Sequence, residues 1–277
     1  FVSPAHCVGG GTMAVQQMSA PTDLSSSALY IFGFFWFWLG VYIATGYVSQ
    51  ALPYVGEVYR KLSESEKEEW NMRGPSTVHA AWISVLSLYI LQVDNLADDR
   101  LFGRSNLVSA VMLPSLGYMF ADTATEIYVT SRKIGYVTPV SAVAHHVCSV
   151  LAQLATMLPA PDQMLYLSIV IASTEVTTPT LNLRWYLVKA GCSRAATILG
   201  VVLLAQWVFF RLVPCASLCF WLTQAHSDLV SSVLMHKIVA GHLMSWMMLL
   251  LNSFWFYLLV RGALKIVFGK NKGEKPE

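Results

Sequence analysis

Seven stretches of this sequence are apolar over lengths that can cross a bilayer, and no other property of the chain restricts its fold as much. A spanning helix needs about 20 mostly apolar residues, because the hydrocarbon core offers backbone N–H and C=O groups no water to bond. The stretches are roughly 28–50, 77–93, 106–129, 137–158, 162–180, 194–224 and 234–266. They predict an all-α, multi-pass membrane protein of about seven transmembrane helices. The second stretch is short. The sixth is long and holds Pro214, which predicts a kink or an exit from the membrane there. Counts of six or eight spans stay open. Only 12% of the residues are charged, against about 25% in soluble domains, so most of the chain faces no bulk water.

The placement of charge tests the seven-span reading. The loop 51–76, the turn with Arg132 and Lys133, the segment with Arg184, Lys189 and Arg194, and the tail after the last span fall on one side. Together they hold 14 of the 18 basic residues. Arg100, Arg104 and Lys237 fall on the other side, and Arg211 lies within the sixth span. By the positive-inside rule this puts the carboxyl terminus in the cytoplasm-equivalent compartment and the amino terminus outside or in a lumen. Residues 1–27 then form an outer tail, 28–50 an extra transmembrane helix and 51–69 a charged cytosolic-side linker. In the linker, LSESEKEEW reads as a short surface helix with Ser63 and Glu66 in capping-box spacing. Residues 267–277 form a basic tail. Residues 1–27 hold no Lys or Arg and do not read as a signal or transit peptide.

Several function classes lose support at once. A net charge of +2 gives no electrostatic basis for a nucleic-acid partner. Cys7, Cys148, Cys192, Cys215 and Cys219 form no CxxC pair and no finger-like Cys/His spacing. Neither a disulfide framework nor a metal site is expected.

What remains is a set of polar residues inside apolar stretches. An ionised side chain at mid-bilayer costs about 2.5–3.5 kcal/mol on insertion scales, so such residues call for a role. Asp122 and Glu126 share a face of the third span, His145 and His146 lie in the fourth, Glu175 in the fifth, and His79 begins the second. At about 1.5 Å of rise per residue, His145 and Glu175 both fall about 10 Å from the basic side. Asp122 and His79 are shallower on that same side. Four spans thus place ionisable groups in one inner third of the bilayer. On the fourth span Thr138, Ser141, His145, Ser149 and Thr156 form one polar stripe. Pro179, after Thr177 and Thr178, predicts a break that frees carbonyls beside Glu175. His226, His236 and His242 lie toward the other side and read as interfacial or packing residues. Arg211 reads as structural, in need of a buried partner.

The same residues carry a family resemblance. WNMRGPSTVHA (with Arg73, Ser76 and His79), GYMFAD (ending at Asp122), AHH (His145 and His146), TEVTTPTLNLRWYL (Glu175, Asn182, Arg184), FFRLVP (Arg211) and LNSFWF (Asn252) occur in this order between Trp70 and Tyr257. In that order they resemble the TLC-domain family, which includes the ceramide synthases. The TLNLRW run is most similar to the small TLC-domain-only membrane proteins. The resemblance implies a TLC domain over about 70–266, built as a helical barrel of six spans preceded by one more, with polar groups facing inward. In ceramide synthases a histidine pair serves acyl transfer from acyl-CoA to a sphingoid amine, and His145 and His146 match that pair. The acidic stretch of the synthases is replaced here by Thr174–Glu175 and Thr178, and their longer histidine-rich stretch is absent.

The expected function is therefore lipid binding or lipid homeostasis, with an acyl lipid held in the barrel near a His/Asp/Glu cluster. The alternatives are a ceramide-synthase-like acyltransferase, and a structural subunit of a larger organelle membrane complex. His145, His146, Asp122 and Glu175 are the candidate catalytic residues. His79, Ser149, Asn182 and Arg184 are the candidate lipid-binding residues. No cofactor is required, with acyl-CoA the expectation for an enzyme. Membrane lipids are the expected partners, with complex subunits or a second copy as further ones. The resemblance implies the endoplasmic reticulum, with another organelle membrane such as the mitochondrial as the alternative; the tail shows no clear dilysine retrieval signal.

Overall fold

The computed structural model describes residues 24–157 and 164–269, with side chains from 25 to 265. Among the described residues all regular structure is helical. The helices are α1 (Leu24–Ala51), α2 (Pro53–Arg60), α3 (Glu64–Val93), α4 (Val108–Ser131), α5 (Val140–Met157), α6 (Leu165–Ser173), α7 (Thr178–Lys189), α8 (Ser193–Trp207), α9 (Val213–Gln224), α10 (His226–Ser232) and α11 (Met235–Gly269). A 3-10 turn, Thr174–Thr177, joins α6 to α7, and a π-helical turn, Val208–Leu212, joins α8 to α9.

Five rods are long and apolar enough to cross a membrane: α1, α3, α5, α8 with α9, and α11. α4 has the length but carries Asp122 and Glu126, and α6 with α7 forms a further rod broken by the 3-10 turn. These two pack among the others and complete the expected set. α3 packs on α4 and on α6–α7, α4 on α5, α5 on α11, α11 on α8–α9, and α8 back on α7. Six rods therefore close a ring. α1 lies outside it, against α3 and α4.

Small residues allow that seventh rod to approach. A Cβ on Gly117 of α4 would sit 2.5 Å from the Phe34 Cβ, and one on Gly74 of α3 would overlap the Thr45 side chain. Close backbone approach at small residues is how membrane helices gain packing when lipid tails remove the hydrophobic drive. Polar tethers add to it. The Trp38 indole donates to the Pro114 carbonyl at 2.9 Å, and the Trp70 indole donates to Ser49 Oγ at 2.8 Å. Glu68 accepts from both Tyr42 and Arg132.

Prolines inside the rods leave carbonyls without their usual helical donor, and in a membrane each must be satisfied. Pro114 frees the Ala110 carbonyl, which accepts from the Trp82 indole at 3.1 Å. Pro179 sits in the first turn of α7, just after the 3-10 turn that breaks the rod. It removes the donor to the Glu175 carbonyl, and the 3-10 turn supplies the Thr178 N–H instead. Pro214 follows the π-helical turn, so the sixth rod runs on through it with one turn widened.

The linker differs from its sequence reading. LSESEKEEW is no separate surface helix; it forms the first turns of α3, a helix of 30 residues. The capping box is as expected, with the Ser63 N–H donating to Glu66 Oε2 at 2.8 Å and the Glu66 N–H to Ser63 Oγ. Good helix formers run on from this cap into the apolar segment, and nothing there stops them. The expected outer tail (apart from its last residues) and the basic tail lie outside the described residues.

Candidate functional site

The ring is filled unequally. Its outer-side half is packed by apolar side chains, among them Ile90, Leu165, Ile169, Leu218 and Leu222. Its basic-side half holds a chamber of about 790 Å³. Residues of five rods reach the chamber wall: His79 from α3, Asp122 and Glu126 from α4, His145 and His146 from α5, Glu175 and Asn182 from the 3-10 turn and α7, and Arg211 from the π-helical turn. The shared depth inferred from helical rise is thus a shared cavity. Glu69, Arg73, Gly135 and Tyr136 line its basic-side end. Beneath lies a slot of about 40 Å³ that shares His79, Met119, His145 and Glu175 with the chamber and is otherwise lined largely by Met, Ile and Leu.

The two histidines are used differently. His146 faces α4: its Nε2 lies 3.2 Å from Asp122 Oδ2, and its Nδ1 lies 3.2 Å from Thr123 Oγ1 and 3.9 Å from Glu126 Oε2. The Thr123 hydroxyl spends its proton on the Met119 carbonyl at 2.7 Å. The Nδ1 must therefore donate to it, and the Asp122–His146 pair is left with one proton to share. His145 stands 5.7 Å from the His146 ring and has the edge of Trp255 at a further 5.7 Å. Its Nδ1 is buried and has no hydrogen-bond partner among the described residues.

Glu175 is held from the opposite wall. Its Oε2 accepts from Thr178 at 2.6 Å and from Arg211 Nη2 at 3.2 Å. Arg211 also donates to Thr177 at 2.6 Å, Thr178 at 2.8 Å and Asn252 at 3.2 Å, and it lies over the Trp207 ring. A buried guanidinium is stable only with such complete pairing. Both irregular turns serve this contact: the 3-10 turn presents Glu175, and the π-helical turn presents Arg211.

The proposed lipid-binding residues divide. His79 lines the chamber and the slot, bonded to Ser115 at 3.1 Å and stacked on Tyr118. Ser149 lines the slot. Asn182 lines the chamber, but its amide is spent on α3: it accepts from Arg73 at 2.8 Å and donates to Ser76 and Thr77. Arg184 is not brought to the chamber wall; its Nε lies against Gly200 of α8. Arg211 was read as structural only, and the structure adds it to the site beside Glu175. One buried cation and one buried anion in neighbouring apolar runs are the signal that pairs them. Trp255, Tyr118 and Ser115 carry no such signal. Among the described residues no group of three or more His, Cys, Asp or Glu side chains could hold a metal ion.

A ring of six membrane rods around a polar chamber, with a seventh rod outside, defines a multi-pass membrane protein with an internal site. The TLC domain family profile matches residues 69–261, most of the ring, and the chain belongs to this family. It is 26% identical to TLC domain-containing protein 4-B of Danio rerio over 225 residues, covering 79% of this chain and 83% of that one. It is 25% identical to Protein CLN8 of Canis lupus familiaris over 258 residues, covering 89% and 84%. It is 24% identical to an uncharacterised TLC domain-containing protein of Schizosaccharomyces pombe, covering 77% and 72%. No solved structure matches it significantly. Membership gives the protein a membrane, lipid-related role.

Proposed function

We propose that the chamber binds a membrane lipid, headgroup against the His/Asp/Glu cluster and acyl chain toward the slot, and that the protein serves lipid homeostasis in this way. One observation carries the reading: a cavity of about 790 Å³ lined by charged groups from five rods, directly above methionine-lined space. Binding sites for small ligands run from about 300 to 1,000 Å³, with few polar groups fixing orientation. The methionines Met112, Met119, Met244 and Met248 suit a chain of varied length, because Met re-packs at little cost. Of the organelle membranes, the endoplasmic reticulum is the one we propose, and the family resemblance supports it.

Single-chain lipids that share one tail and differ in headgroup (amine, phosphate, carboxylate or hydroxyl) test this by exchange into the purified protein. The wild type should discriminate among them. His145→Ala and Asp122→Ala should still bind the tail but lose the ranking. Equal uptake of every headgroup by the wild type, or none of any, would sink the reading.

A second reading is favoured by the unpartnered Nδ1 of His145. There the same chamber transfers an acyl group from acyl-CoA to a lipid amine. The amine nitrogen bonds to the acyl carbon, the thioester C–S bond breaks, and the amine's proton passes through the imidazole to the departing thiolate. Product formation that vanishes in His145→Ala, with lipid uptake intact, would select this reading over simple carriage.

A further inference from the structure

A second cavity lies on the membrane-facing wall of the ring, in the groove between α4 and α5. It measures about 570 Å³. Its apolar lining comes from Phe120 and Ile127 on α4 and from Val143, Val147, Val150 and Leu151 on α5. Phe120 and Ile127 are seven residues apart, and Val143, Val147 and Val150 follow at four and three with Leu151 alongside, so each set lies on one side of its helix. Ile127 is 66% exposed and Val147 53%; in a spanning rod such faces meet lipid. At the basic-side end the groove turns polar, where Thr130 and Thr138 bond each other at 3.0 Å.

The groove and the chamber share Glu126, Val137 and His146. One layer of side chains therefore separates the lipid-facing wall from the interior. That layer is the His146 contact with Asp122 and Thr123, which staples α5 to α4. From Phe120 to Thr130 the groove is about 15 Å long. The groove is apolar along most of this length and turns polar only at its basic-side end, the pattern of a single acyl chain whose headgroup sits at the interface.

We infer that the α4–α5 groove is the lateral doorway of the chamber: it seats the acyl chain of a bilayer lipid, and the lipid passes into the ring where His146 latches α5 to α4. His146 is then a positioning residue of the doorway, while His145 faces the bound headgroup. The inference rests on the chamber's being a lipid site, and its test separates the two.

The probe is palmitate carrying a mid-chain diazirine and a terminal alkyne, loaded into phosphatidylcholine vesicles that hold the full-length protein. After illumination the labelled peptides are mapped. Label on Met119, which is buried and lines the chamber, reports the chamber, and label on Ile127 or Val147 reports the groove. The wild type should be labelled at both. Ile127→Trp and Val147→Trp, which plug the groove, should reduce the chamber label to background. Val201→Trp, on the exposed face of α8, should leave it unchanged. A melting temperature within the wild-type range certifies each variant, and Ile127→Ala, which widens the groove, should raise the rate of chamber labelling. Undiminished chamber label in both plugged variants would overturn the doorway and leave the lipid site standing. Absence of chamber label in the wild type would overturn both. Crosslinks from the groove to a second copy instead of to the probe would make this wall an interface.

Discussion

The two halves of the six-rod ring are built from the same helices and do opposite things. In the outer-side half α3, α4, α6, α9 and α11 interlock through Ile90, Val111, Leu165, Leu222 and Ile238, and little space is left. In the basic-side half the same rods part around a chamber whose polar groups are charged or hydrogen-bonded in nearly every case. Packing supplies the stability of one half. Pairing makes the other half tolerable in a bilayer, and among the described residues His145 Nδ1 and Arg73 Nε on the chamber wall have no partner. Stability and function are thus divided along the membrane normal, and substitutions should separate them.

The largest effect should come from breaking the pairing. Arg211→Leu leaves Glu175 buried without its counter-charge, a loss of about 3–5 kcal/mol, read as a large fall in melting temperature in detergent. Glu175→Gln in the same chain should recover much of it. If Arg211→Leu melts like wild type, the pair is not what makes the polar half tolerable. In the packed half, Leu222→Ala opens a cavity at a fully buried site and should cost about 2–5 kcal/mol, with headgroup ranking untouched. A change of ranking in that variant would mean the halves are not separate.

Outside the ring, Gly117→Val pushes α1 off α4 at the Phe34 contact and should cost about 1–3 kcal/mol by overpacking. Since α1 does not line the chamber, lipid binding should persist in that variant. The smallest effect on stability belongs to His145→Phe. Its Nδ1 makes no protein hydrogen bond, so the melting temperature should move by no more than about 0.5 kcal/mol implies, while headgroup selection is lost. A strongly destabilised His145→Phe would assign that residue to packing.

Much of this division is legible in the sequence, for stated reasons. Hydropathy gives the rods, because bilayer thickness acts on composition directly. Common depth follows from helical rise, so His79, Asp122, His145 and Glu175 could be grouped before their cavity was seen. Lateral position does not follow from rise. Arg184 is two residues from Asn182 on α7, yet one packs against α8 and the other lines the chamber wall, about 200° apart on the helix. The order of the ring decides which face is inward. The prolines Pro179 and Pro214 mark where the helices turn irregular, but a proline predicts lost donors and not the form, 3-10 or π-helical, that the turn takes. The different uses of adjacent His145 and His146 depend on Thr123, whose hydroxyl carries no signal among many others.

Native mass spectrometry of the purified wild type beside Ala142→Trp is the most direct measurement. Ala142 lines the chamber one helical turn from His145 and His146, and an indole there occupies space that a bound lipid needs. The wild type should retain one lipid per chain, and Ala142→Trp, with an unchanged melting temperature, should retain none. A wild type released from detergent with no lipid, or the same lipid held equally by Ala142→Trp, would contradict the chamber as the lipid site.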